Sequence, residues 1–210
     1  MNAQAVELDQ VLQQMPVWRG RGLPVQQPDG VPTGVPALER ILPGGWPRGA
    51  LSEILSEQQG GGELSLLMPA LAQLSRADRW IALIAPPFVP YAPAWQAFGI
   101  DLSRVLVIRP QAHSDALWAL EQALRSGSCG AVLAWPRIAD ERSLRRLQLA
   151  AEAGQSLGLL FRSHWALSQA SPAAVRLRLD NVRGGVQARL LKRRGSWAGT
   201  AHNEVRLARQ

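Results

Sequence analysis

Residues 51–75 read LSEILSEQQGGGELSLLMPALAQLS, and the fold prediction starts from them. Leu51 to Leu55 has the apolar character of a buried strand, Gly60-Gly61-Gly62 forms a turn, and Leu64 to Ser75 is a predicted helix. A strand, a glycine-rich turn and a helix in this order are typical of a phosphate-binding loop, whose backbone N–H groups hold phosphate oxygens at the helix N-terminus. The stretch therefore predicts a nucleotide-binding scaffold of the α/β class.

The residues that perform chemistry in such a loop are missing. Aligning the glycines places Gly62 where a phosphate-binding Lys is needed, and Glu63 where a hydroxyl group would hold Mg²⁺. A carboxylate at this position occupies the anion site and repels a triphosphate. We therefore predict a degenerate P-loop, made of Gly60, Gly61, Gly62 and Glu63, that binds no nucleotide, and we predict no cofactor.

Length and composition exclude several classes of protein. The chain has 210 residues, of which 47% are hydrophobic, and this is enough for one compact core. Every apolar run is interrupted before the length of about 18 residues that a membrane span needs, so no membrane contact is predicted. The first residues include Glu7 and Asp9 and lack the pattern of a secretory signal. We therefore expect a cytoplasmic protein, in which the single Cys129 forms no internal disulfide.

The charge is strongly basic and unevenly distributed. The net charge of +7 comes from 22 Arg residues and the single Lys192. Residues 176–210 hold nine basic side chains and two acidic ones. Such a patch docks phosphates or an acidic protein surface, and the alternative is a solvated strand face with a frayed tail. Lys192, Arg193 and Arg194 are our candidates for partner binding there, including weak DNA binding.

Composition divides the chain into three regions. Residues 1–32 combine a short amphipathic helix with a Pro/Gly-rich linker, which predicts an N-terminal arm. Residues 33–195 form the core domain, and residues 196–210 form a basic C-terminal tail. In the linker, Trp18 and Arg19 are candidate partner-binding residues, because an exposed indole beside a guanidinium suits a protein contact. The alternative is that Trp18 packs into a groove of its own domain.

Beyond the arm, apolar strand-like runs alternate with helical patterns, which predicts a parallel sheet covered by helices on both faces. One predicted helix is capped by Asp140 and ends at Gly154, and three arginines on its outer side form either an interface or a solvated face. Residues 175–190 alternate apolar and polar side chains around a turn, which predicts an antiparallel hairpin added to the sheet. The three arginines are Arg142, Arg145 and Arg146.

Several short motifs are specific in combination. They are Trp18-Arg19-Gly20, Leu42-Pro43-Gly44-Gly45-Trp46-Pro47, Ala85-Pro86-Pro87-Phe88-Val89-Pro90-Tyr91 with Trp95, Ala116 to Gln122, and Leu144 to Ala150. These motifs resemble the RecA-like family of SOS-induced proteins called ImuA, which includes relatives grouped with the SulA cell-division inhibitors. The resemblance spans about residues 18 to 195. A broader resemblance to the core of the RecA recombinase is carried by the order of Thr33 to Leu38, Leu42 to Gly49, Leu51 to Leu55, the glycine loop and Gly99 to Leu106.

This resemblance implies a RecA-like three-layer fold with a mostly parallel central sheet and a C-terminal antiparallel hairpin. It also implies that catalysis is lost. An active recombinase ends its second strand with a catalytic Glu, whereas this chain has Ile84-Ala85-Pro86-Pro87. A Mg²⁺-supporting Asp is replaced by Trp135-Pro136. Because the Lys, the metal-holding residues and the water-positioning acid are all absent, we predict neither an enzyme nor a metal site.

Two classes of function follow from the resemblance. The first, which we favour, is a non-catalytic SOS-response accessory protein of error-prone translesion DNA synthesis that binds ImuB and the polymerase DnaE2, and RecA as a further partner. The alternative is a SulA-type inhibitor of cell division that binds FtsZ. Direct DNA binding through residues 176–209 could accompany the first of these.

Overall fold

The structure is a computed structural model that describes residues 30–57, 62–136, 139–194 and 203–208. Strands and helices alternate through most of the described chain. The strands are β1 (Gly30–Val31), β2 (Trp46–Pro47), β3 (Ala50–Ser56), β4 (Trp80–Ile84), β5 (Val105–Ile108), β6 (Cys129–Ala134), β7 (Leu157–Ser163), β8 (Val175–Val182), β9 (Gly185–Arg193) and β10 (Glu204–Ala208). The helices are α1 (Pro36–Ile41), α2 (Met68–Arg76), α3 (Ala92–Ala97), α4 (His113–Arg125) and α5 (Glu141–Gly154), with short 3-10 turns at Leu102–Arg104 and His164–Ser168.

Eight strands form the main sheet, in the order β10-β9-β8-β3-β7-β6-β4-β5. The six strands β8-β3-β7-β6-β4-β5 pair in parallel with their neighbours. The two remaining pairings, β8–β9 and β9–β10, are antiparallel. Strands β3 and β6 are buried along their whole length because helices cover both faces. The sequence of β6 is accordingly a continuous run of small and apolar residues, whereas β3 also buries Ser52, Glu53 and Ser56. In β8 buried and half-buried side chains alternate, because none of the described helices covers its second face.

The sheet separates two hydrophobic cores. On one face, α1, α2 and α3 pack against the sheet, and Trp46 is fully buried among their side chains. On the other face, α4 and α5 cover β3, β4, β6 and β7, with Leu120 and Leu144 fully enclosed. Successive side chains of a strand point to opposite faces of the sheet, so alternate residues of one strand enter different cores. Leu51 thus lies in the second core and Ile54 in the first.

The boundaries of α5 follow from local chemistry. The carboxylate of Asp140 accepts a hydrogen bond from the Ser143 backbone N–H at 2.8 Å, which confirms the predicted N-cap. After Gly154 the chain turns out of the helix through Gln155, whose φ of 49° lies in the left-handed region. Gly154 is required because a Cβ there would lie 2.0 Å from the carbonyl oxygen of Leu124 on α4.

The RecA-like three-layer fold with a degenerate P-loop is a wrong prediction. The sheet is mixed, with an extension of three strands joined by antiparallel pairings, rather than a parallel sheet that ends in a hairpin. The helix predicted from Leu64 begins at Met68, and residues 63–67 form turns, so the start of this helix does not directly follow the glycines. Gly60 and Gly61 lie outside the described residues.

Two features bear on the predicted regions of the chain. Gly30–Val31 pairs with Trp46–Pro47, so the end of the predicted linker contacts the core. Strand β10 lies inside the range assigned to the basic tail and pairs with β9. The division at residues 32 and 195 stays a prediction.

Within the described ranges, no helix is long and apolar enough to cross a membrane.

Candidate partner-binding site

The carboxyl ends of the parallel strands create a crevice at one edge of the sheet. Strand β4 continues through α3 toward β5, whereas its neighbour β6 continues through α5 toward β7 on the other side. The two connections leave on opposite faces and in opposite directions, so the space beyond Ile84 and Ala134 stays open. In open α/β sheets this kind of divergence marks the usual place of a binding site.

The loop between β4 and α3 carries an unusual amount of exposed apolar surface. Phe88, Val89 and Tyr91 are 63%, 78% and 72% exposed. The guanidinium of Arg109 donates a hydrogen bond to the Phe88 carbonyl at 3.3 Å, and the Ala85 N–H donates to the Ile108 carbonyl at 2.9 Å. These contacts tie the loop and its entrance to the end of β5. The loop, defined here as residues 86–91 and called the apolar loop, therefore presents its side chains outward from an anchored backbone.

An apolar groove lies beneath the apolar loop. It has a volume of about 240 Å³, and its floor includes Trp135 and Phe161, whose rings stack with centroids 4.5 Å apart and planes 6° from parallel. Leu64 and Trp95 contribute to its walls. An aromatic floor beside exposed aromatic side chains is the composition of a protein-recognition surface, where such rings supply most of the contact energy.

A second cavity of about 500 Å³ lies across Trp135 from the groove. It opens above the first turn of α4 and includes Gln111 and His113 among its polar lining. The rest of its lining is mainly apolar, with Leu117, Leu120 and Ile84 from the core of that face. Trp135 and Pro87 line both cavities.

Glu63, the residue predicted to occupy an anion site, is buried at the edge of the groove. It is 6% exposed, and the hydroxyl of Ser56 at the end of β3 donates to its carboxylate at 3.4 Å. The sequence predicted that Glu63 occupies the anion site of a degenerate P-loop. In the structure its carboxylate is instead buried and contacts the end of β3. Among the described residues, no group of three His, Cys, Asp or Glu side chains could hold a metal ion.

An ion-pair cluster around a fully buried carboxylate supports the same end of the sheet. Glu53 on β3 is inaccessible to solvent, and its two carboxylate oxygens accept hydrogen bonds from Arg162 at 2.6 Å and from Arg176 at 2.7 Å. Arg162 also donates to the side chain of Gln169 at 2.6 Å, and Arg176 to the Ala166 carbonyl at 2.6 Å. The cluster thereby fixes the segment after β7. Sequence reasoning missed it, because reading residues 51–55 as a buried strand does not identify the cation that pairs with Glu53.

The predicted partner-binding arginines of α5 lie on its outer face. Arg142 and Arg145 are exposed, and Arg145 pairs with Glu141 at 2.5 Å. Arg146 pairs with Glu121 of α4. The guanidinium of Arg146 therefore joins two helices, and its assignment to a partner stays a prediction. Trp18 and Arg19 lie outside the described residues.

The three basic residues at the end of β9 make contacts within the chain. Lys192 donates to the Ser171 carbonyl at 2.7 Å, Arg193 donates to the Pro43 carbonyl, and Arg194 lies 3.5 Å from Glu152. Burial lowers the pKa of Lys192 and of Arg193, and the neighbouring cations Arg176 and Arg194 add to the effect on Lys192. The structure therefore uses these side chains to attach β9 to its surroundings, while their role toward a partner stays a prediction.

Comparison with known proteins matches this part of the chain to one family. The family model for the cell division inhibitor SulA matches residues 49–158, which is slightly more than half of the chain and includes the apolar loop and most residues of the groove and the second cavity. The cell division inhibitor SulA of Edwardsiella piscicida is 42% identical over 100 residues, which cover 46% of this chain and 58% of that protein.

Two further matches carry the same name. The cell division inhibitor SulA of Klebsiella aerogenes is 34% identical over 119 residues, covering 54% of this chain and 69% of that protein. The crystal structure of SulA from Pseudomonas aeruginosa is 32% identical and covers 54% of this chain and 97% of that chain, with a TM-score of 0.45. The chain thus spans little more than half of the length of the Edwardsiella protein and about two thirds of the Klebsiella protein.

These matches correct the family prediction. The ImuA assignment is wrong, and so is the predicted role in translesion DNA synthesis, because the matching family and relatives are named as cell division inhibitors. None of these matches supports ImuB, DnaE2 or RecA as partners. The short motifs of the sequence are too few to separate two groups of related proteins. The family model covers more than half of the sequence, and the chain belongs to the family of the cell division inhibitor SulA.

Proposed function

We propose that this protein inhibits cell division by binding the division protein FtsZ with the apolar loop and the groove beneath it. The observation that carries the proposal is the exposure of Phe88, Val89 and Tyr91 on a loop whose backbone is anchored to β5. The loop lies inside the segment that matches the SulA family.

The physics of protein recognition favours this surface over the others. Large aromatic and aliphatic side chains that are exposed before binding release the most free energy when a partner covers them. A backbone that is already fixed loses little conformational entropy on binding, so more of that free energy becomes affinity. The groove beside the loop can accept an apolar side chain of the partner, since it is lined mainly by carbon atoms.

The proposed action is binding rather than catalysis. The family is named for inhibition of a process and not for a reaction. The groove is lined mainly by apolar side chains, and its one carboxylate, Glu63, is buried beside Ser56. We therefore expect inhibition that depends on the ratio of this protein to its target, with no turnover.

A binding experiment with two matched variants tests the proposal. Phe88→Ala and Tyr91→Ala should each weaken binding to purified FtsZ by about 30-fold, the effect of losing about 2 kcal/mol at an interface hot spot. Trp118→Ala is the control, because Trp118 is an aromatic residue of similar exposure that lies on α4, away from the apolar loop. This control should bind within about twofold of the wild type.

Expression in dividing bacteria provides the second readout. The wild type and Trp118→Ala should both produce elongated cells, and the two loop variants should not. The proposal is wrong if the wild type fails to bind FtsZ, or if the loop variants bind and block division as well as the wild type does.

A further inference from the structure

A second exposed surface lies on the outer face of the antiparallel extension. One face of β8, β9 and β10 is buried in the first core through residues such as Leu177, Ala188 and Leu207. The opposite face is not covered by any described helix, because α4 and α5 lie over β3, β4, β6 and β7. We call this uncovered face the outer strand face.

The outer strand face is rich in arginine. Arg178 of β8 lies directly opposite Arg189 of β9, and Gln187 lies opposite Arg206 of β10. Two carboxylates, Asp180 and Glu204, share this face. The basic side chains of the face and its adjoining turn are Arg178, Arg183, Arg189, Lys192 and Arg206.

The basic side chains of the face outnumber its carboxylates. Like charges directly opposite on neighbouring strands repel one another, and here Arg178 is compensated by Asp180 at 2.8 Å and Arg189 by Glu204 at 3.1 Å. Both carboxylates of the face are used in these two pairs, and Arg206 has a backbone carbonyl as its partner. The face therefore keeps an excess of positive charge and is complementary to a negatively charged ligand.

An exposed indole borders the same face. Trp165 lies in the 3-10 turn after β7 and is 48% exposed. Its neighbour His164 lies 3.8 Å from Asp180 of the outer strand face. The guanidinium of Arg162 lies 5.7 Å from the Trp165 ring centroid, and Arg162 is itself held by the buried Glu53. Trp165 is therefore an exposed aromatic ring on a rigid support.

We propose that the outer strand face binds single-stranded nucleic acid. Its arginines would contact the phosphates, and the Trp165 ring would stack on a base. From β8 to β10 the face extends over two strand spacings, about 10 Å, so its arginines can contact neighbouring phosphates of one nucleic-acid strand. An exposed indole next to a basic surface favours a nucleic acid over an acidic protein, because every base offers a face for stacking.

The location differs from the choice of basic residues made from the sequence, which stays a prediction. Lys192, Arg193 and Arg194 contact Ser171, Pro43 and Glu152 within the chain. Arg189 and Arg206 instead lie on the exposed face, and Arg206 has a backbone carbonyl, that of Arg183, as its hydrogen-bond partner. The nucleic-acid surface is thus centred on the middle of β9 and β10 rather than on the end of β9.

The test is fluorescence anisotropy of a labelled oligothymidylate of about 20 nucleotides with the full chain, at salt concentrations between about 50 and 300 mM. Each phosphate contact to single-stranded DNA contributes a slope of about −0.7 to the plot of log affinity against log salt. We expect the double variant Arg189→Gln, Arg206→Gln to make the slope shallower by about 1.4. Trp165→Ala should lower affinity at least about fivefold and leave the slope unchanged.

A charge-matched control separates the surface from net charge. Arg40→Gln, Arg76→Gln removes the same number of charges from exposed positions of α1 and α2, which pack on the opposite face of the sheet, and its slope and affinity should equal those of the wild type. The inference is overturned if this control loses as much affinity as the β9–β10 variant does. Tighter binding of polyglutamate than of the oligonucleotide would also overturn it, because an acidic protein would then be the better ligand. If the double variant does not fold, unchanged affinity of Trp165→Ala overturns the inference by itself.

Discussion

Glu53 is the residue on which the packing of β3, β7 and β8 depends. Its carboxylate is fully buried and bridges Arg162 and Arg176 from two neighbouring strands. Without that carboxylate, the buried Arg162 guanidinium and the largely buried Arg176 guanidinium would carry uncompensated charge in a medium of low dielectric constant. We expect Glu53→Gln to lower the free energy of unfolding by about 3–5 kcal/mol, measured by urea denaturation at neutral pH.

An exposed ion pair provides the comparison. The side chains of Glu141 and Arg145 lie 2.5 Å apart, and both are more than half exposed. Solvent screens such a pair, so Glu141→Gln should change the free energy of unfolding by less than about 1 kcal/mol. Equal effects of the two substitutions would mean that burial of the Glu53 cluster contributes nothing to stability.

The helix α5 owes its N-terminal boundary to a single carboxylate. Hydrogen bonds from Ser143 to Asp140 lower the pKa of Asp140 below its usual value of 3.8. A lowered folded-state pKa means that the stabilisation is present above the unfolded-state pKa and is lost as pH falls through the folded-state pKa. Asp140→Ala should therefore melt at a lower temperature than the wild type at pH 7, and the gap should narrow below pH 3.8.

Thermal melting followed by circular dichroism between about pH 2 and pH 7 measures this difference. Asp115 is a useful second site, since it lies in the first turn of α4, a helix whose N-cap residue Ala112 makes no side-chain cap. Asp115→Ala removes a carboxylate at a helix start without removing a cap. A gap in melting temperature that stays constant down to the lowest pH would contradict the capping role of Asp140.

At the scale of the whole molecule, β10 is an edge strand of the main sheet that also contributes side chains to the first core. Leu207 is buried against that core, whereas its neighbour Arg206 is exposed on the outer strand face. We expect Leu207→Ala to lower the free energy of unfolding by about 2 kcal/mol, because it leaves a cavity that the strand cannot close. Arg206→Gln should change it by less than about 0.5 kcal/mol.

Urea denaturation of both variants measures the contrast. If residues 203–208 were only a basic tail, both substitutions would be neutral. The pair therefore also tests the predicted domain boundary at residue 195. If Arg206→Gln keeps the stability of the wild type, a loss of nucleic-acid affinity in the variant that carries it cannot be attributed to unfolding.

Local sequence patterns predicted several elements correctly, and each has a short-range cause. The strand at 105–108, the Asp140 cap and the pair of alternating strands after residue 175 depend on residues only a few positions apart. The RecA-like fold and the ImuA family were wrong because a strand, a glycine turn and a helix recur in many α/β proteins. The helix α2 begins at Met68, so a few residues of turn separate it from Gly62, a spacing that the glycines alone do not reveal.

The sequence by itself determined which segments are buried strands, which helices have an apolar side, and that the chain is basic. Those properties depend on the period of apolar residues and on composition, which a linear pattern contains. Only the tertiary structure decided that Glu53 meets Arg162 and Arg176, which lie 109 and 123 residues away. It also decided that the apolar loop lines the same groove as the stacked rings of Trp135 and Phe161. Segments that are far apart in the sequence come together only through the order and register of the strands.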